Sequence, residues 1–228
     1  SIKATGWILG IVTTAIFSCK SYEEQKRELP DTSDRGTIHV SADESFRPVI
    51  DEQVQVYESN HPGTRIIVDY KPEAECLKDL LNDSVRMVIV TRRASPDEKE
   101  VIADSLRLQA RSMVVARDGI SVVLPPDSPD TLLTMKDIRE ILTGKFKKNL
   151  IPVFDGVKAT STVRFIIDSV LKGDSLTPAA MAARSSEGVI DYISKNSDVI
   201  GFIGVSWIGN REDSSYLSFS KKVRVAYL

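Results

Sequence analysis

Polar and apolar residues follow two rhythms along most of the chain. "TIHVSA" (37–42) and "RIIVDY" (65–70) are short, β-branched runs that read as strands. Between them, "SFRPVIDEQVQVYESNHPG" sets Val49, Ile50, Val54 and Tyr57 roughly on one helical face, and Asn60 to Gly63 end that helix. "PEAECLKDLLND" opens with a proline suited to a first turn and carries Cys76, Leu77, Leu80 and Leu81 on its apolar side. "RMVIVTR" is an unbroken apolar run of strand length, as expected for a buried parallel strand. "SPDEKEVIADSL" begins with a strong helix-opening signal, and "LQARSMVVARDGISVVLPP" holds two strand candidates divided by Asp118-Gly119. A similar series follows. "TMKDIREILTGK" predicts a helix capped by Thr134 and stopped by Gly144, and "LIPVFD" a strand. "STVRFIIDSVLKG" predicts a helix with Phe165, Ile166, Val170 and Leu171 inward; "SSEGVIDYISKNSD" and "VIGFIGVSWI" predict a further helix and strand. Strands alternating with helices imply an α/β fold built on parallel sheets.

The start of the chain breaks this rhythm. "GWILGIVTTAIF" (6–17) is free of charge but short of the roughly 20 residues a membrane-crossing helix needs. Lys3 precedes it and Ser18-Cys19 follow, the layout of a secretory signal over residues 1–18. Ile16-Phe17-Ser18-Cys19 resembles a bacterial lipobox, which makes Cys19 the expected lipidation site and residues 19–35 a polar tether. The expected location is the cell envelope, in the periplasm or on the cell surface, lipid-anchored. With Cys19 acylated, Cys76 has no disulfide partner and reads as a small buried thiol.

Charge and composition narrow the function. A net charge of -2 and a pI near 5.8 give no basic surplus for a nucleic-acid partner. The two histidines, His39 and His61, and the two cysteines form no metal-ligand spacing. Phosphate-cradling glycine loops and a Gly-x-Ser-x-Gly nucleophile turn are absent, so neither an enzyme nor a cofactor is expected. Hydroxyls do gather at three strand ends: Ser41 and Ser45 in "VSADESFRP", Thr91 and Arg92 in "IVTRRASPDE", and Thr160, Ser161 and Thr162 with Arg164 in "DGVKATSTVRF". In open α/β sheets, ligands collect beyond the carboxyl ends of the strands. Hydroxyls, helix-start N–H groups and an arginine fork there suit an oxyanion. Each piece also reads as local structure. The hydroxyls cap helices, Arg92 and Arg93 are surface cations, and Arg164 pairs with Asp168 one turn on.

These motifs resemble the phosphate-binding substrate-binding proteins of ABC transporters. "ATSTVRF" is similar to their Ser-Gly-Thr phosphate loop, "DGISVVLPPDSPDTLLTMKDIREILTGK" to the segment before it, and "SSEGVIDYISKNSDVIGFIGVSWI" to the helix and Ile-Gly strand after it. "ADESFRPV" and "VIVTRRASPDEKE" resemble their first loop and the loop carrying Thr91-Arg92. The resemblance spans about Gly36 to Ile208. It implies a two-lobed type II periplasmic-binding-protein-like fold, with lobe 1 at 36–112, lobe 2 at 113–203 and a return segment toward lobe 1 at 204–228, shortened at the C-terminus relative to the family. It further implies phosphate or a similar oxyanion as ligand, an ABC permease as partner and no covalent chemistry. The anion-binding set would be Ser45, Thr91, Arg92, Thr160, Ser161, Thr162 and Arg164, with Arg92 preferred to Arg164 as the source of charge. Three departures stand out: "YKPEAE" puts Glu73 where the family has hydroxyls and glycines, Phe154-Asp155 stand where an arginine is frequent, and the chain stops at Leu228. The alternative is a surface lipoprotein that uses the same scaffold for protein or polymer interaction without transport; a hydrolase ranks third.

Overall fold

The computed structural model describes residues 32, 34–129, 131–156, 160–209 and 219–228. The expected export signal, Cys19 and the tether up to residue 31 lie outside the described residues. Among those described, no helix is long and apolar enough to cross a membrane.

The first lobe is a three-stranded parallel sheet in the order β2-β1-β3. β1 (Arg35–Asp43) pairs along its whole length with β2 (Gly63–Lys71), and β3 (Met87–Ile89) lies on β1's other side. The connections are helical, as parallel strands require: a 3-10 turn (Glu44–Phe46) and α1 (Arg47–Asn60), then α2 (Glu73–Leu81), with α3 (Pro96–Leu106) after β3. Its buried apolar set is small, comprising Val40, Ala42, Cys76, Leu77 and Ile102. Cys76 is the small buried thiol read from the sequence, and burial pushes its thiol up to about 12.

The second lobe is larger. Its five strands run β6-β5-β7-β4-β8. β5 (Ile151–Phe154) is parallel to β6 (Met181–Ala182) and β7 (Val199–Gly204), whereas β4 (Ile120–Leu124) is antiparallel to β7 and to β8 (Arg224–Val225). The helices are α4 (Met135–Leu142), α5 (Ser161–Phe165), which widens into a π-helical turn over Ile166–Leu171, α6 (Ser186–Ile193) and the short α7 (Ser206–Gly209). Two apolar clusters cover its sheet. One contains Ile138, Ile141, Leu142, Phe154, Ile166, Leu171 and Phe202; the other contains Val123, Val153, Val189, Ile190, Ile193, Ile203 and Trp207. The Phe154 and Phe202 rings stack with centroids 5.1 Å apart. Every residue of β7 is buried, the continuous apolar run of a central strand. Gly201 lets α6 approach it, since a Cβ there would meet Val189 Cγ1 at 2.8 Å and Ile193 Cγ1 at 3.0 Å.

Several expectations change. "LQARSMVVAR" forms no strand: residues 107–119 carry no regular element, and Met113, Val114 and Val115 are exposed. A β-branched apolar run becomes a strand only where a neighbour offers a ladder, and none is paired with it. β3 is parallel, as expected, but spans three residues at a sheet edge with Met87 exposed, so "RMVIVTR" is not a buried strand. In α1, Val49 and Tyr57 are exposed and Pro48 is the buried residue, because the helix leans on β2 by a narrow edge. Phe165 is likewise exposed, since the π-turn rotates the face that Ile166 and Leu171 bury. The sheets are not wholly parallel, as β4 runs against its neighbours. Of the expected return segment 204–228, Ser206 and Trp207 reach Ser45 of the first lobe, while residues 219–228 lie against the second. Ala226 N–H donates to Val122 O, Tyr227 N–H to Thr131 O, and Lys222 pairs with Asp191 at 2.8 Å, all in the second lobe. β4 has an open edge there, and its unmet hydrogen bonds hold the segment.

The stacked pair carries much of the second core. Replacing Phe202 by Ala is expected to cost about 3–5 kcal/mol of unfolding free energy, measured by urea titration, whereas Val56→Ala on the exposed side of α1 changes it by less than about 0.5 kcal/mol.

Candidate functional site

The lobes meet where β1 and β5 end. β1 delivers Asp43 at its last position, and Asp43 Oδ1 accepts from Ser45 N–H at 3.0 Å and Ser45 Oγ–H at 2.6 Å, which folds the 3-10 turn. That turn is sewn to the second lobe. Ser45 O accepts from Ser206 Oγ and Trp207 Nε1, each at 3.1 Å, and Ser45 Oγ lies 3.2 Å from Ser161 Oγ. Glu44 reaches the start of α6, where its carboxylate accepts from Ser186 N–H at 3.2 Å and Ser186 Oγ–H at 2.9 Å.

A second bridge crosses the cleft at Glu73, the first residue of α2, which is 3% exposed. Its Oε1 accepts from Thr91 N–H at 2.9 Å and Thr91 Oγ1–H at 2.5 Å, and its Oε2 from Arg164 Nε–H at 2.8 Å. Arg164 Nη2 also donates to Thr91 Oγ1, closing a triangle, while Nη1 lies 3.6 Å from Asp168. Burial pushes the Glu73 carboxyl up, but the hydrogen bonds from Arg164 and Thr91 together outweigh burial and hold it below the usual glutamate value.

The remaining carboxyls stand differently. Asp43 is 1% and Asp155 7% exposed, and among the described residues Asp43 Oδ2 and Asp155 Oδ1 have no hydrogen-bond partner. Burial raises Asp43, against the hydrogen bonds from Ser45 and Ser161; burial raises Glu44, against those from Ser186. Asp155 goes furthest. Burial, helped by the charges of Glu44 and Asp43, pushes it up to about 7 despite a hydrogen bond from Thr160. These groups border a pocket of about 170 Å³ lined by Asp43, Glu44, Arg47, Tyr70, Lys71, Pro72, Asp155, Thr160, Arg184 and Ser185. No cluster of three or more His, Cys, Asp or Glu suited to a metal ion occurs among the described residues.

Of the sequence-predicted residues, Ser45, Thr160, Ser161 and Thr162 converge on this junction, all buried. Thr160 caps α5 through Val163 N–H, as the capping reading expects, and Thr162 Oγ1 lies 3.4 Å from Asp155 Oδ2. Thr91 and Arg164 meet at Glu73. Arg92 does not join them: its guanidinium forks onto Glu98 with two 2.7 Å bonds, and Glu98, held down to about 2 by that fork, completes the capping box of α3 with Ser95. The preferred cation is therefore a helix-start brace, and Arg164 is the arginine that faces the other lobe. Sequence reasoning missed Asp43, Glu44, Arg184 and Ser186. A signal was present for the first two, an acidic pair directly after a strand end.

Two α/β lobes thus bring hydroxyls and charged side chains together in one interlobe cleft. The sequence matches the PBP superfamily domain over residues 29–228, and the chain belongs to that family. No curated protein matches it. Among solved structures, a candidate phosphate ABC transporter substrate-binding protein from Clostridium perfringens, with bound phosphate, is similar at 18% identity with a TM-score of 0.68, over 84% of this chain and 75% of that one. An ABC-type phosphate transport receptor from Vibrio cholerae is 18% identical with a TM-score of 0.53, over 83% and 75%. A sulfate-bound variant of the OxyR2 regulatory domain from Vibrio vulnificus is 12% identical with a TM-score of 0.60, over 87% and 82%. The fold is thus shared by transport receptors and a regulatory domain.

Two outcomes test the electrostatics. Asp155 holds a proton in the folded chain between its ordinary 3.8 and about 7, where the unfolded chain has lost it, so its contribution to stability falls as pH rises through that window. Asp155→Asn is expected to raise the melting temperature at pH 8 and leave it nearly unchanged at pH 4. Glu73 has the opposite sign: its contribution is complete above the usual 4.5 and is lost as pH falls below it. A double-mutant cycle on Glu73→Gln and Arg164→Met is expected to give a coupling of about 1–2 kcal/mol, discounted for the partly exposed guanidinium.

Proposed function

We propose that the chain is a solute-binding protein that captures phosphate or a similar small oxyanion for an ABC importer, held at a membrane by lipid on Cys19. The observation that carries this reading is that the Ser45 turn and the Thr160–Thr162 loop meet across the lobes, with Ser45 Oγ 3.2 Å from Ser161 Oγ, beside a pocket lined by Glu44 of the turn and Thr160 of the loop. Side chains from both lobes around one pocket, Arg47 from the first and Thr160, Arg184 and Ser185 from the second, give an oxyanion donors that only the closed arrangement assembles, the physical basis of hinge closure on a ligand. Bound phosphate in a protein of the same fold supports the ligand class. Arg47 and Arg184, on the rim of the same pocket, supply the positive potential that draws an anion in. An ABC permease would dock on the closed lobes, and nothing in this reading needs an enzyme's nucleophile or a cofactor.

A second reading has its own observation. Thr91 and Arg164 are already engaged by Glu73, and Arg92 by Glu98, so much of the donor set is satisfied by the chain's own carboxylates. That favours a scaffold kept for contact with a protein or polymer.

Isothermal titration of the purified chain with phosphate and sulfate separates the two. The transport reading expects saturable binding that weakens about tenfold or more when Thr160 and Thr162 are both changed to Val, the loss of about 1.4 kcal/mol of hydrogen bonding. Absence of heat with either anion overturns it in favour of the scaffold.

A further inference from the structure

The acid that opens α2 serves other elements than its own helix. Pro72, the N-cap, gives the helix no side-chain bond, and Glu73 follows at the first helical position. A carboxylate at a helix start commonly bonds to that helix's own free N–H groups. Glu73 instead bonds to Thr91, in the loop after β3, and to Arg164, in α5. The guanidinium meets the carboxylate side-on, with Nε 2.8 Å from Oε2 and Nη2 3.5 Å from Oε1, a two-point fork between opposite charges. A charged fork, a hydroxyl and a backbone N–H are the donors with which a protein holds a free oxyanion. Here the anion belongs to the chain. Glu73 and Thr91 lie in the first lobe and Arg164 in the second, so the fork spans the cleft. Rivals for either partner are weak. Arg92, next to Thr91, is forked onto Glu98, and Asp168, which is 60% exposed, stands 3.6 Å from Arg164 Nη1. Glu73 is 3% exposed with both oxygens satisfied.

We propose that Glu73 is a built-in ligand: its carboxylate grips Arg164 across the cleft and keeps the lobes closed with no solute bound. An anion fixed on a helix start is already ordered and sits at the arginine fork at high effective concentration. A free anion has to displace it, and gives up its own translational freedom in doing so. The other bonds described between the lobes join at most one charge to a neutral donor. Ser206 and Trp207 donate to Ser45 O, Ser45 Oγ meets Ser161 Oγ, and Glu44 accepts from Ser186. The Glu73 fork joins two full charges, one of them buried, and taking away either partner strands the other. Closure then belongs to the chain itself, whatever solute the pocket takes. A partner that docks on closed lobes meets them with or without that solute.

Ser186 N–H reports closure from elsewhere in the cleft, because it donates to Glu44 of the other lobe and bonds to neither Glu73 nor Arg164. Hydrogen exchange of the full chain in phosphate-free buffer, read by mass spectrometry on the peptide containing Ser186, follows it. The peptide containing Phe202, in the second core, shows whether that lobe stays folded. Glu73→Ala is expected to speed exchange at Ser186 about tenfold or more and to leave Phe202 unchanged. Arg164→Met keeps the Thr91 bonds to Glu73 and is expected to do the same, with the double variant no faster than either single one. Small-angle X-ray scattering of both variants is expected to show a larger radius of gyration. Phosphate added to the unaltered chain is expected to change exchange at Ser186 by less than about twofold. Exchange at Ser186 left unchanged in either folded variant overturns the latch. So does a slowing of about tenfold by phosphate in the unaltered chain, which marks an open resting state. Should Glu73→Ala lose protection at Phe202 as well, Arg164→Met decides alone. Heat from phosphate in isothermal titration does not enter the decision, so the latch and the oxyanion reading fail separately.

Discussion

A carboxylate removed from water needs hydrogen-bond donors or a proton, and the interlobe cleft depends on how that need is met at each of its acids. Glu73 receives an arginine, a hydroxyl and a backbone N–H, and stays ionised. Glu44 receives a serine hydroxyl and a backbone N–H at a helix start. Asp155 receives a weak set and moves toward protonation. The same rule therefore produces two kinds of acid within one crevice. The fully served acids bind the lobes together. The underserved ones leave chemistry to be completed by something else.

The two bridges also set the geometry between lobes. Glu73 belongs to the first lobe and Arg164 to the second; Ser45 belongs to the first and Trp207 to the second. Closure therefore has a contribution from the chain itself, independent of any solute. A ligand that enters must offer more to the closed arrangement than to an open one, since only that difference shifts the equilibrium. The Glu73 triangle biases the starting point of that shift toward closure.

Much of this was legible from the residues. The alternation of β-branched runs with helix-period segments pointed to an α/β fold, the resemblance to the substrate-binding proteins added the two lobes, and the caps at Ser95 and Thr134 fell where their sequence signals stand. The hydroxyl loops were found because Ser and Thr ahead of an apolar run advertise a helix start. What escaped was pairing over long separations. Arg164 and Glu73 are 91 residues apart, and nothing local distinguishes Arg164 from Arg92, which closes on Glu98 only six residues away. The strand expected within "LQARSMVVAR" failed for a related reason: propensity supplies a willing strand, but only a neighbour supplies the ladder. Asp155 was noticed as a departure, yet its burial comes from packing that no short window of sequence reports.

The unequal apolar clusters have a consequence for how the molecule breathes. Both large clusters belong to the five-stranded sheet, whereas the three-stranded one keeps five buried apolar residues and leaves Val49, Ile67 and Met87 toward solvent. Cooperative unfolding units follow packing density, so the smaller lobe is the one that comes loose first while the larger persists. Half of the crevice thus rides on a dense chassis and half on a lightly ballasted flap, so any widening of the crevice is expected to begin with the flap.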